Sequence, residues 1–106
     1  MNSTRKYYNI IEAQYMSLIT NEMMKLYVQT LSSVEDEVEL DAFDTICLHT
    51  MLDLFASCLE QLMVQGIIGN KEKFKQDMIK NVTVMLTTLF YGEVAELQIK
   101  NFMENM

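Results

Sequence analysis

The sequence contains no proline, no tryptophan and only three glycines among its 106 residues. Proline and glycine mark most turns, so a chain this poor in both has few places to change direction. A β-sandwich or barrel, which needs many short strands joined by turns, is disfavoured on this ground. The composition instead favours a few long helices.

Cysteine and histidine are scarce as well, with two cysteines and one histidine. Cys47 and Cys58 would stand about 16 Å apart on one helix, too far for a disulfide, and we interpret both as small buried apolar residues. The sequence has no pair of Glu-x-x-His motifs for a di-iron site. The acidic run from Glu35 to Asp44 lacks the central glycine of a calcium loop. We therefore expect no bound metal and no cofactor.

Basic residues are few, and the formal net charge is −7. Phosphate recognition needs clustered lysine and arginine, so we expect no direct contact with nucleic acid. The longest uncharged run, Asn81 to Gly92, is too short to span a bilayer. Glu12 interrupts the apolar run that a signal peptide would need. The sequence predicts a cytoplasmic protein without a membrane partner.

Half of the residues are hydrophobic, and they recur at the spacing of an amphipathic helix in four segments. We predict one all-α domain over residues 1–106, a bundle of about four main helices. Residues 33–40 are predicted as an acidic connector, Asp41 and Asn70 as helix N-caps, and a bend near Thr20 as an alternative to a continuous first helix. The predicted helices are Thr4–Ser32, Ala42–Gln65, Lys71–Tyr91 and Glu93–Asn105, with the long antiparallel pair 42–65 and 71–91 as the core.

The second predicted helix keeps only a narrow polar strip, formed by Thr45, His49, Asp53 and Ser57 at intervals of four residues. His49 and Asp53 would suit a base and its orienting partner, with Thr45 or Ser57 as nucleophile. Side chains on one helix face rarely converge on one substrate atom, and no glycine-rich turn offers an oxyanion hole. We interpret the strip as the polar edge of a buried helix and predict no enzyme.

A helix with so little polar surface must be covered on more than one side, which a second subunit would achieve. The predicted homodimer interface consists of Leu48, Leu52, Leu59, Val82, Met85, Leu89 and Phe90. The stripes of methionine and aromatic residues are typical of a core, and they would also suit a cavity for a small apolar ligand between helices. The predicted ligand-binding residues are Tyr15, Met23, Tyr27, Met51 and Phe55.

A family resemblance supports the dimer. The residues that carry it are Leu48-His49-Thr50-Met51-Leu52, Leu62-Met63-Val64-Gln65-Gly66, Asn70-Lys71-Glu72, and the run from Met85 to Gly92. This pattern resembles the C-terminal ligand-binding and dimerisation domain of TetR-family regulators. The resemblance implies that the two long helices pair with their copies in a second subunit. The chain leaves no room for the family's N-terminal helix-turn-helix, so direct operator binding is not expected.

The leading functional prediction is a non-enzymatic regulatory or interaction domain that dimerises and binds an apolar ligand or a protein. The alternative rests on six carboxylates within ten residues, which would dock on a basic protein partner. In that case the chain is a small acidic inhibitor, of phage or plasmid type, that blocks a nucleic-acid-binding protein. Carboxylate docking weakens steeply with salt, whereas an apolar dimer does not. The residues of this acidic surface are Glu35, Asp36, Glu37, Glu39, Asp41 and Asp44.

Overall fold

The computed structural model describes residues 2–33 and 37–106, with side chains over residues 6–33 and 45–106. The described part contains four helices and no strand, which confirms the predicted all-α bundle. The helices are α1 (Asn2–Ser32), α2 (Glu37–Gln65), α3 (Lys71–Leu89) and α4 (Glu93–Glu104).

Helix α1 is continuous over its 31 residues, which makes it about 46 Å long. The sequence of α1 contains neither proline nor glycine, the residues that most often break a helix. At the position where a bend was the alternative, the Thr20 hydroxyl donates a hydrogen bond to the Met16 carbonyl at 2.9 Å. The hydroxyl group is thus satisfied within the helix, and the chain runs through this position without a break.

Helix α2 begins earlier than the sequence pattern predicts. It starts at Glu37 rather than at Ala42, so the predicted connector is wrong over residues 37–40 and Asp41 lies inside the helix instead of capping it. Acidic residues suit the first turns of a helix because of the positive end of its dipole. The predicted end of α2 at Gln65 is confirmed. A Cβ atom on the next residue, Gly66, would lie 2.6 Å from the Leu62 carbonyl oxygen, so glycine suits this helix end.

The start of α3 is confirmed at Lys71, and the side chain of its N-cap Asn70 accepts a hydrogen bond from the Lys73 N–H at 3.0 Å. Its end is at Leu89, two residues before the predicted one. The chain then turns at Gly92, whose φ of +119° is a backbone conformation that favours glycine. Helix α4 ends at Glu104, within one residue of the prediction.

The helices pack as an α1/α2 hairpin with α3 and α4 against it, and within the described residues α1 and α4 do not contact each other. Tyr15 of α1 lies beside Phe74 of α3, and Tyr27 lies beside Phe90 just after α3, so α1 and α3 run parallel. The core is drawn from all four helices, and its fully buried side chains include Met23, Leu48, Met51, Leu52, Phe55, Met78, Val82, Leu86 and Ile99.

The predicted dimer interface stays a prediction, and most of its residues lie within the core of the single chain. Five of its residues, namely Leu48, Leu52, Leu59, Val82 and Phe90, are buried inside the single chain, and Met85 and Leu89 are half-buried against the same core. The chain's own helices cover much of the apolar surface of α2, although Ile46 and Val64 remain exposed. By length and composition alone, the α2 segment Thr45–Gln65 would be able to cross a membrane, a test that core helices also pass.

Candidate functional site

An open groove runs along the junction of α1 and α2. It consists of two adjoining depressions that share Glu22, and we name them the apolar half and the polar half. The apolar half has a volume of about 450 Å³ and is lined by Tyr15, Leu18, Ile19, Glu22, Cys58, Gln61, Leu62, Gln65 and Gly66. The polar half has a volume of about 540 Å³ and is lined by Glu22, Lys25, Leu26, Gln29, Thr50, Asp53, Leu54 and Ser57.

The turn that follows α2 lies at one end of the apolar half, and two hydrogen bonds join this turn to α1. The Ile67 N–H donates to the Tyr15 hydroxyl oxygen at 3.2 Å, and the Gly69 N–H donates to a Glu12 carboxylate oxygen at 3.2 Å. The Tyr15 ring also packs edge-on against Phe74, with 6.5 Å between ring centroids. Tyr15 is therefore held in place from two sides, and the wall it forms is preorganised.

Charge in the groove is concentrated around Glu22. Its carboxylate pairs with the Lys25 ammonium one turn further along α1, at 3.2 Å, and both side chains are largely exposed. Such surface pairs contribute only about 0.2–1 kcal/mol, so this one can exchange for another cation. Asp53 adds a second carboxylate to the polar half. Two carboxylates and one ammonium therefore line the groove.

Cys58 lies on the wall of the apolar half and is half-buried. Burial of the thiol, and then the nearby negative charge of Glu22, raise the pKa of Cys58 above its ordinary value. The thiol therefore stays protonated at neutral pH, and a protonated thiol is a poor nucleophile. This wall is suited to contact with a ligand rather than to covalent chemistry.

The structure does not bring together the five residues predicted to bind a ligand. Tyr15 alone lines the apolar half. Met23, Met51 and Phe55 are fully buried and belong to the hydrophobic core. Tyr27 packs edge-on against Phe90, with 5.7 Å between ring centroids, away from the groove. Of the five predicted residues, only Tyr15 lines the groove.

The strip of Thr45, His49, Asp53 and Ser57 is exposed. Asp53 and Ser57 line the polar half, whereas Thr45 lines a separate depression at the start of α4. Among the described side chains, no hydrogen bond joins His49 to Asp53, and no three histidine, cysteine or acidic residues are grouped as metal ligands. The strip therefore supplies polar groups to the groove without forming a triad.

The predicted acidic surface falls mostly on parts that the structure does not describe. Glu35 and Asp36 lie outside the described residues. Glu37, Glu39, Asp41 and Asp44 belong to the backbone of α2, and their side chains lie outside the described ones. The docking of a basic protein on this surface stays a prediction.

Sequence reasoning missed most of the groove. The side chain of Leu18 is 60% exposed on the groove wall, although an apolar residue in an amphipathic helix is expected to face the core. Leu18 and Glu22 stand four residues apart on α1, and Cys58, Leu62 and Gln65 follow a similar spacing on α2. A mixed polar and apolar row at the edge of each of two neighbouring helices is the signal that would have indicated a groove.

The fold and the groove together define the class, an all-α four-helix bundle with an open groove between its first two helices. Comparison of the chain with protein-family models, curated proteins and solved structures gives no match. The resemblance to TetR-family domains accordingly stays a prediction.

Proposed function

We propose that the chain is a non-enzymatic binding domain of the cytoplasm, which takes a small apolar ligand in the α1/α2 groove and acts as a regulatory or interaction module. The observation that carries this proposal is the apolar half of the groove, whose volume of about 450 Å³ lies against Leu18, Ile19 and Leu62. Ligand sites in proteins typically measure about 300–1,000 Å³ and combine apolar walls with a few polar groups.

The chemistry of the walls favours binding over catalysis. Burial and Glu22 favour the protonated form of the Cys58 thiol, and His49 is exposed, with no carboxylate paired to it among the described side chains. Burial of the exposed part of Leu18 by an apolar guest would remove hydrophobic surface from water, which is the main driving force for such association. A guest that binds only the folded chain would also raise its stability, by about 2.7 kcal/mol at a hundredfold excess over the dissociation constant.

The test is a titration with N-phenyl-1-naphthylamine, a neutral apolar dye whose fluorescence rises in an apolar site. We expect saturable binding to the unmodified chain and a loss of at least tenfold in affinity for Leu18→Trp, whose larger side chain fills the groove. Val84→Trp is the matched control, because Val84 is a similarly exposed apolar residue on α3 that does not line the groove. Circular dichroism establishes that both variants fold.

Equal dye binding by the two tryptophan variants would contradict the assignment of the ligand to this groove. Absence of saturable binding to the unmodified chain would contradict the proposed function itself.

A further inference from the structure

We propose that the ligand of the groove is a single-chain amphiphile with an aliphatic tail and a cationic ammonium head. The tail lies in the apolar half, and the head lies in the polar half between Glu22 and Asp53. This inference rests on the proposed function and adds to it the chemical class of the ligand.

The two halves of the groove both contain leucines and differ in their charged side chains. Glu22 is the one charged residue that lines the apolar half, whereas Lys25 and Asp53 join it in the polar half. A wholly apolar guest would leave the carboxylates without a partner, and a wholly polar guest would gain nothing from the leucines. An elongated molecule with one apolar and one polar end matches both halves at once.

The charges in the groove select the sign of the head group. An ammonium group carries three donors, and the groove offers acceptors in the carboxylates of Glu22 and Asp53 and in the hydroxyl oxygen of Thr50, whose own proton is donated to the Ile46 carbonyl. An anionic head would meet both carboxylates. The formal net charge of −7 further favours the approach of cations.

Lys25 does not reverse this preference. Its side chain is 67% exposed, and its ammonium group pairs with Glu22 alone among the described residues, so the ligand's head can take its place on Glu22 while Lys25 returns to water. Surface ion pairs of this kind are weak enough to exchange.

The length of the groove suits an extended chain. From Thr50 to Gln65 the groove follows sixteen residues of α2, whose first and last Cα atoms are about 22 Å apart along the helix axis. An extended aliphatic tail together with its head group fits within this distance.

The experiment compares three probes of equal chain length, decan-1-amine, decan-1-ol and decanoate, as competitors for the dye at neutral pH and at concentrations below micelle formation. A second readout is protection of the Cys58 thiol from a thiol reagent, since Cys58 lies on the wall and Cys47 is buried. We expect affinity to fall in the order amine, alcohol, carboxylate, and the preference for the amine over the alcohol to shrink with added salt.

The double variant Glu22→Gln/Asp53→Asn tests whether these two carboxylates bind the ammonium head. We expect it to weaken binding of decan-1-amine by roughly threefold to tenfold, the range for loss of two exposed charge pairs, and to leave binding of decan-1-ol unchanged. Glu60→Gln is the matched control, because Glu60 is exposed on α2 and lies outside the groove lining.

Equal affinities of the unmodified chain for the amine and the alcohol would overturn the cationic head while leaving the proposed function intact. If the dye binds but none of the three probes displaces it or protects Cys58, the amphiphile fails as the ligand while the proposed function stands. If the dye does not bind either, both proposals fail. The comparison of probes on the unmodified chain decides the matter even if the double variant does not fold.

Discussion

The reaction rate of the Cys58 thiol is a measure of the state of the groove in solution. Cys58 faces the apolar half beside Glu22, whereas the other cysteine, Cys47, is buried in the core. Only the thiolate reacts rapidly with disulfide reagents, so the rate of modification reports how much of the Cys58 thiol has lost its proton. A single residue thus records both the electrostatics of the wall and the presence of a guest.

We expect Cys58 to react more slowly than a free thiol at mildly alkaline pH, with a rate profile whose midpoint lies above the ordinary thiol range. Burial and then Glu22 raise the pKa of Cys58, so more hydroxide is needed to form the thiolate. Replacement Glu22→Gln removes the second cause and should move the midpoint to lower pH without restoring the ordinary value. The measurement is the initial rate with an aromatic disulfide reagent across this pH range.

Cys58→Ala serves as the blank in this experiment, and its native form should show almost no reaction because Cys47 is buried. A midpoint that is unchanged by Glu22→Gln would contradict the electrostatic coupling between the two walls of the groove.

At the scale of the helices, apolar periodicity was sufficient to predict four helices in the right order. The start of α3 and the end of α2 were predicted correctly because asparagine is preferred as a helix N-cap and glycine just after a helix end. The start of α2 was missed because its acidic first turns resemble a solvated loop in sequence. The groove was missed because an apolar stripe on one helix does not show which of its residues the neighbouring helices bury. Burial depends on how the helices pack, which the sequence of one helix does not reveal.

The N-cap of α3 permits a direct test of how much a single local residue contributes to the stability of the fold. We expect Asn70→Ala to lower the free energy of unfolding by about 0.5–2 kcal/mol, because the Lys73 N–H loses the side-chain acceptor that now lies at 3.0 Å. Asn70→Asp keeps an acceptor oxygen and should retain most of the stability. Urea unfolding followed by circular dichroism provides the measurement.

The matched control is Asn101→Ala, an exposed position inside α4. Alanine is the best helix former, so this change should leave the stability equal or slightly higher. If the two alanine variants lose equal stability, the capping role of Asn70 is contradicted.

At the scale of the whole molecule, the question is which surface remains for a partner. Five of the seven residues predicted from the sequence for a dimer are buried within the single chain, and Met85 and Leu89 are half-buried. Large apolar side chains are nevertheless exposed along the α3–α4 turn and α4, where Tyr91 is 85% exposed, Val94 71% and Leu97 58%. Three such residues within seven positions form a local patch, and exposed apolar patches often mark interaction surfaces.

We expect the chain to form a homodimer through this patch, in which each copy contributes the same residues about a two-fold axis. Absolute mass from light scattering, measured at low micromolar concentration, should be twice that of the chain and should not change between low and high salt, because apolar association is not screened.

Leu97→Glu places a charge in the patch and should yield the monomer. Val64→Glu is the control, since Val64 is 75% exposed on α2, outside the patch, and this variant should stay dimeric. A monomeric mass for the unmodified chain at both salt concentrations would contradict the dimer, while dissociation only at high salt would indicate that charged rather than apolar groups hold the copies together.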